Sequence, residues 1–393
     1  MSGGPAFLFF AKRTDNMAHS KKLKNRSDMV KAILVLLPSV VLVAVFVYGF
    51  IFNTIYVSLT DWGQGAGLAE HPVKHWVGLG NYRQLFSGFI YGRFRQDLVN
   101  TFFYSVILLV GTLFLGFLLA VLLDRKIRHE GFYRTIFLYP MALSFIVTGT
   151  IWRWLLAPNG GLNLLPTFLG LKKGEFLWIS SRKAILTFNW QHLLSILFFI
   201  AALVFLMLLL RAVRNRIHRK MVIHSALFAS SLLLCAISRW LLPPLLPFEE
   251  IHGFNLATLG ILLAAIWQYS GYTMALYLAG LRGLPESIRE SSRMDGAGEF
   301  TYYWKIAIPN IKPITLSAVI ILSHISLKMF DLIYAMAGAD NANTGHPSVN
   351  MYLTTFRANQ FAMGAAIAVI LFIMAALFVI PYLMHSHKQR RQG

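Results

Sequence analysis

The chain of 393 residues holds one cysteine, Cys235, set in an apolar run. A single thiol excludes an intramolecular disulfide framework and any metal centre built from several cysteines. What is left for it is the role of a small buried hydrophobe. Charge is scarce too: 13% of residues are Asp, Glu, Lys or Arg, against 56% hydrophobic, and the mean hydropathy is +0.59. That balance excludes an ordinary soluble domain and describes a polytopic membrane protein. The sequence contains no Gly-x-x-x-x-Gly-Lys-Ser/Thr loop, so it does not cradle a nucleoside triphosphate by that device, and no His-Glu-x-x-His metal motif. The chain is therefore expected to be non-enzymatic in itself. Acidic residues are the rarer charge, 16 against 36 Lys and Arg, for a net +20. Whether that excess means nucleic acid or membrane orientation depends on where it falls.

An apolar run of about 20 residues spans a bilayer. Eight such runs are expected: Met29–Leu59, Asn100–Leu123, Phe132–Leu156, Ala184–Leu210, Met221–Leu242, Leu256–Leu281, Ile314–Ala337 and Phe361–Met384. The fold class is thus all-α, polytopic, with eight transmembrane helices. Segment 1–28 precedes them, 385–393 is a basic tail, and the transmembrane region fills 29–384. With the N-terminus inside and sides alternating, the inner segments carry 24 of the 36 Lys and Arg. The positive-inside rule favours that orientation, with both termini cytoplasmic. The net charge is then mostly topology, and a nucleic-acid function is excluded on the same ground.

The stretch Pro285–Pro313 is charged, lies between two apolar runs, and falls on the cytoplasmic side in this topology. Glu286–Met294 lacks Gly and Pro and is expected to be helical. Asp295-Gly296 signals a turn. Phe300–Ile308 is expected as a second short helix, with Phe300, Tyr303, Trp304 and Ile308 on an apolar face. Apolar side chains facing water on a helix-turn-helix suit a docking surface.

Glu290-Ser291-Ser292, Asp295-Gly296-Ala297 and Ile306-Ala307-Ile308-Pro309 together resemble the EAA loop of ABC importer permeases. That pattern is Glu-Ala-Ala, two residues, Asp-Gly-Ala, a spacer, then Ile-x-Leu-Pro. Here Ser replaces both Ala and Ile replaces Leu. Trp76–Arg83, Asn100-Thr101, Tyr133–Pro140, Trp267–Tyr272, Leu278–Pro285 and Lys328–Leu332 are similar to segments of carbohydrate importer permeases of the maltose-transporter type, with alpha-glucoside and glucose/mannose permeases nearest in look. The resemblance covers about residues 29–170 and 254–384. It implies a six-helix type I importer core, to which 184–242 adds a peripheral hairpin without altering the topology downstream. It implies that 282–312 is the coupling loop, with Glu290, Ser291, Ser292, Asp295, Gly296, Ala297, Ile306 and Pro309 engaging a cytoplasmic ATPase. It also implies a second homologous permease, two cytoplasmic ATPase subunits and an extracytoplasmic sugar-binding protein. No cofactor is expected in this chain; ATP and Mg would be bound by the partner ATPases, and the location is the cytoplasmic membrane.

Charges inside a span are costly and face a cavity or one another. His324, Lys328 and Asp331, spaced i, i+4, i+7, are expected to share one helix face. Two readings are open: a structural Lys328–Asp331 pair, or the lining of a solute pathway. Gln268 and Tyr272 in the preceding span add an amide and a phenol at similar depth, as a sugar requires, or serve helix packing. A secondary transporter relaying protons through Lys328, Asp331 and His324 is a rival, opposed by the EAA-like loop and by the lack of an obvious inverted repeat. A membrane enzyme using His and Asp is a second, opposed by the lack of further acids, bases or metal ligands around them.

Overall fold

The computed structural model describes residues 31–390, with 32, 64–73, 126 and 241–245 outside the described set. The expected segment 1–28 lies outside it. Residues 1–57 and 58–393 form two separate units. In the first, helix α1 (Ile33–Ser58, ending at the unit boundary) exposes its apolar side chains from Ile33 to Phe50 and includes a π stretch at Ala44–Gly49.

The second unit is built on two long helices. α2 (Gly80–Ser87) leads into α3 (Gly92–Asp124), which packs along α8 (Leu256–Arg282). Their seam is made of small and polar residues that let the backbones approach. A side chain at Gly116 would meet Thr273 and the Met274 backbone nitrogen, and Thr273 Oγ1 donates to the Thr112 carbonyl at 2.9 Å. Small-residue seams of this kind hold helices together where lipid offers no hydrophobic drive. Tyr104, Leu108, Ile261, Leu262 and Leu322 fill the core above the seam.

The third expected span is not one straight helix. It is α4 (Glu130–Ala142) and α5 (Phe145–Leu155), bent by 100°. Pro140 withdraws an amide donor, and Ser144 caps the new helix by accepting from Val147 N–H. The fourth expected span is corrected at its start. Ala184–Asn189 is a strand, β1, antiparallel to β2 (Ile251–Asn255), and the helix begins only at Leu193. Ile185, Thr187 and Phe188 are of types that suit a pleated pair better than a helix, and Leu186, Thr187 and Phe188 find ladder partners across the sheet. α6 (Leu193–Arg214) and α7 (His218–Trp240) then form the hairpin.

After α8 come α9 (Glu286–Met294) and α10 (Glu299–Asn310), the latter bent by 73° into α11 (Lys312–Ser326). The seventh expected span is also interrupted. α11 stops at Ser326 and α12 (Phe330–Ala337) begins afresh, so His324, Lys328 and Asp331 do not lie on one continuous helix. The reason is a partner from further along the chain: the Ser326 carbonyl is taken by His346 Nε2 at 3.1 Å, and Phe330 N–H turns back to the Lys328 carbonyl. α13 (Pro347–Tyr352) and α14 (Phe361–Arg390) close the chain, α14 running through the start of the expected tail. Among the described residues five helices are long and apolar enough to cross a membrane, seven if each bent pair counts as one span.

Candidate functional site

Two places gather the residues singled out above. The first is the segment after α8. α9 exposes Glu290 and Ser291, while Ser292 is buried and donates to the Arg289 carbonyl at 2.7 Å. The helix ends in a Schellman motif: Ala297 N–H reaches the Ser292 carbonyl and Gly296 N–H the Arg293 carbonyl. Gly296 sits at φ +74 with open space around it, so glycine is required there by backbone conformation and not by crowding. Asp295 and Pro309 are exposed, and Ala297 and Ile306 are half-buried.

The expected apolar face is corrected in one member. Phe300 and Trp304 are exposed, but Tyr303 is buried beside Tyr302. A π stretch over Tyr302–Ala307 turns both tyrosines inward, which α-helical spacing would not do. Tyr303 donates its hydroxyl to Asp124 at 2.7 Å. Arg289 pairs with Asp124 at 3.3 Å and with Glu299 at 3.2 Å, and Arg282 pairs with Glu130 at 2.9 Å. Asp124, Arg282, Arg289, Glu299 and Tyr302 border a charged cavity of 770 Å³.

The second place is a cavity of 340 Å³ between α5, α8, α11 and α12. Phe145, Tyr269, Met329 and Leu332 supply apolar walls; His324, Lys328 and Asp331 supply the polar groups. Broken or not, the chain thus brings the three expected charges to one cavity. Of the two open readings, the direct pair is not what the structure has: among the described residues no ion pair joins Lys328 to Asp331. Asp331 instead occupies the first turn of α12, where the helix dipole favours a carboxylate.

Gln268 is buried and donates to the Leu143 carbonyl at 3.2 Å, at the bend between α4 and α5, while its Oε1 has no partner. Tyr272 is half-buried one turn along. Neither lines the cavity; Tyr269, between them, does. A second cavity of 500 Å³ shares Asp331 and adds Thr150, Arg153, Tyr334 and Tyr352. Sequence reasoning passed over Phe145, Arg153 and Tyr352, because a bend and a loop bring them in from afar. No group of three or more His, Cys, Asp or Glu able to hold a metal occurs among the described residues.

Residues 226–392 match the family described as binding-protein-dependent transport system inner membrane component. A probable ABC transporter permease protein of Pyrococcus horikoshii is 34% identical over 93% of this chain and 99% of its own. The chain belongs to the ABC transporter permeases. It is a multi-pass membrane protein and a transport subunit of an importer, not an enzyme. A xylose/arabinose import permease protein of Haloferax volcanii is 29% identical over 89% of this permease and 86% of its own length. A trehalose/maltose transport system permease protein of Thermococcus litoralis is 24% identical over 93% and 96%. In fold, the permease resembles a chain of a bacterial ABC transporter involved in the import of the acidic polysaccharide alginate, with TM-score 0.59 and 16% identity over 95% of this chain and 99% of the other.

Proposed function

We propose that this permease translocates a sugar across the cytoplasmic membrane, driven by ATP hydrolysed on two partner ATPases, together with a second permease and an extracytoplasmic sugar-binding protein. The relatives named for xylose/arabinose and trehalose/maltose import support the substrate class. The single observation that carries it is the cavity halfway along α8, where the aromatic walls Phe145 and Tyr269 meet Lys328, Asp331 and His324. A sugar offers an apolar face to a ring and hydroxyls to fixed polar groups, and binding sites combine those two kinds of wall. Gln268 supports the bend that carries Phe145, and Tyr272 continues the polar line along α8.

In this reading the chain crosses the membrane eight times with both termini inside. The loop 282–312 then faces the cytoplasm, and Glu290, Ser291, Asp295 and the exposed Phe300 and Trp304 meet the ATPase, with Gly296 setting the turn between the two helices. The test is uptake into proteoliposomes holding the complete complex. Uptake of labelled sugar should require ATP on the ATPase side and survive collapse of the proton gradient. Uptake that follows the gradient and ignores ATP would sink the reading.

A further inference from the structure

Asp124 breaks a local rule. It is the last residue of α3, where the helix dipole is negative and a carboxylate is disfavoured, and its side chain is only 9% exposed. No cation in the last turn of α3 offsets it. The compensation comes from far along the chain: Arg289 of α9, 165 residues on, pairs with it, and Tyr303 of α10, 179 residues on, donates to it. The π stretch in α10 serves the same point. It sets the Tyr302 and Tyr303 rings 5.3 and 5.9 Å from the Arg289 guanidinium, close enough for cation–π attraction. π-bulges persist mainly where a function retains them.

Among the described residues this is the one ion pair that reaches from α9 to a helix outside 282–312; Arg293 pairs only with Glu299 of the same segment. α9 is flanked by Gly283 on one side and by Gly296 and Gly298 on the other. Without a tether, a push on α9 would be spent in swinging it on those glycines. With one, the push reaches the end of α3, and α3 is locked to α8 along the Gly116–Thr273 seam. The guanidinium also keeps one buried donor, Nε, without a partner, and borders the 770 Å³ cavity. It therefore has room to shift while remaining held.

We infer that Arg289 is a positioning residue that fastens the ATPase-docking helix α9 to the end of α3, so that movement of α9 is carried into the α3–α8 pair. The inference rests on the reading of 282–312 as the docking segment.

The experiment uses the complete complex in liposomes, with Cys235→Ser as background and spin labels on Ser287→Cys of α9 and Arg128→Cys, both exposed positions outside the proposed ATPase contact. Arg289→Gln and Asp124→Asn should each broaden the label-to-label distance distribution. They should also lower sugar uptake per ATP hydrolysed at least tenfold, while the subunits still co-purify in the wild-type ratio. Arg289→Lys keeps the charge but loses the fork that spans two carboxylates, and should recover uptake in part. A purely structural role would lower assembly and leave the ratio of uptake to hydrolysis alone. Should Arg289→Gln fail to assemble, the distance distributions of Asp124→Asn and Arg289→Lys decide. Unchanged distances together with an unchanged ratio overturn the inference. A wild-type complex without ATP-driven uptake would overturn the docking reading instead, and the distances would still decide whether Arg289 is the tether.

Discussion

The helix pairs α3–α8 and α6–α7 are both apolar enough to sit in a membrane, yet they are built differently. α8 is the least apolar of the five single-helix candidates, and 61% of its apolar window is buried; for α6, the most apolar, the figure is 11%. Burial here follows the pattern of small and polar residues and not hydropathy. α3 and α8 meet through Gly111, Thr112, Gly116 and Thr273. α6 and α7 meet through the Ser195–Ser238 contact and buried Ala202, and Cys235 gives its thiol to the Ser195 carbonyl; many of their leucines, among them Leu197, Leu203, Leu227 and Leu233, are exposed. In lipid, an outward leucine gains nothing by leaving for a helix neighbour, so packing is decided by close approach and by hydrogen bonds. One pair is therefore a candidate moving part and the other a candidate passenger.

The harshest way to break that contrast is Gly116→Leu. A Cβ there would lie 2.0 Å from Thr273 Oγ1 and 2.9 Å from the Met274 backbone nitrogen, which cannot yield. Overpacking of this kind costs about 3 kcal/mol, and the variant should fail to accumulate as folded protein in membranes. Leu203→Ala, at an outward position of the hairpin, should accumulate normally by the same measurement. Next in size is Lys328→Met combined with Asp331→Leu. The two do not pair, so removing both relieves no stranded partner, and the complex should assemble yet lose uptake. Both side chains are exposed in the open cavity; once a bound sugar desolvates them, loss of one hydrogen-bonding group costs about 1–3 kcal/mol, and 1.4 kcal/mol is about tenfold. Uptake within twofold of wild type in the double variant would remove both residues from the pathway.

The loop that packs on α3 beside the core pair adds a pH dependence. His346 is fully buried; its Nδ1 accepts from Ser348 N–H and its Nε2 donates to the Ser326 carbonyl, an arrangement only the neutral ring can make. Burial pushes its pKa down to about 4. The unfolded chain, with a histidine near 6.5, then binds more protons than the folded one between those values, so stability falls as pH drops through that window. At 1.36 kcal/mol per unit, the loss approaches about 3 kcal/mol at pH 4. Thermal unfolding of purified protein at pH 7.5 and pH 5 should show a drop that His346→Gln reduces; an equal drop in the variant would put the cause elsewhere. Smaller still is the difference between Gly296→Val and Gly296→Asn. No atom obstructs a side chain there, so the penalty is the left-handed backbone alone, about 1–2 kcal/mol, and Asn tolerates that region. ATP-driven uptake should fall roughly tenfold or more for Val and little for Asn.

Much of this was legible in sequence because it is periodic or local. The apolar runs, the Asp295-Gly296 turn and the helix before it follow from residue type within a few positions. The bend at Leu143-Ser144 was not anticipated: Pro140 stood in view, yet Phe132–Leu156 was read as one span. What stayed hidden was set by partners far along the chain. The break after Ser326 depends on His346, the inward turn of Tyr303 on Asp124, and the strand at Ala184–Asn189 on Ile251–Asn255. The cavity was found for a reason that did not hold: the three charges share it although the helix face that was to align them is broken. Of the α8 pair, Gln268 went to the bend, and Tyr269 took the place by the cavity.

The mildest expected effect belongs to the passenger. Replacing Leu193–Trp240 by a short Gly-Ser linker keeps β1 and its ladder to β2, which the wider expected hairpin 184–242 would have removed. The chain just before the deletion and Leu246 beyond it lie close together, since Gln191 Nε2 donates to the Leu246 carbonyl at 3.4 Å and Val99, Trp190 and Leu246 form a small buried cluster. Two spans are lost together, so everything from α8 onward should keep its side of the membrane. The hairpin's exposed surface is of a kind that lipid covers, the deletion also removes Leu193 from beside the Val99–Trp190–Leu246 cluster, and uptake should stay within about twofold, well under the tenfold that 1.4 kcal/mol would bring. Reagent labelling of a cysteine at Ser291 should still report the cytoplasmic side. If that cysteine becomes reactive from outside, the hairpin does not cross the membrane twice. If labelling is unchanged but the complex no longer assembles, the outward leucines of α6 and α7 face a protein partner and the contrast between the two helix pairs fails.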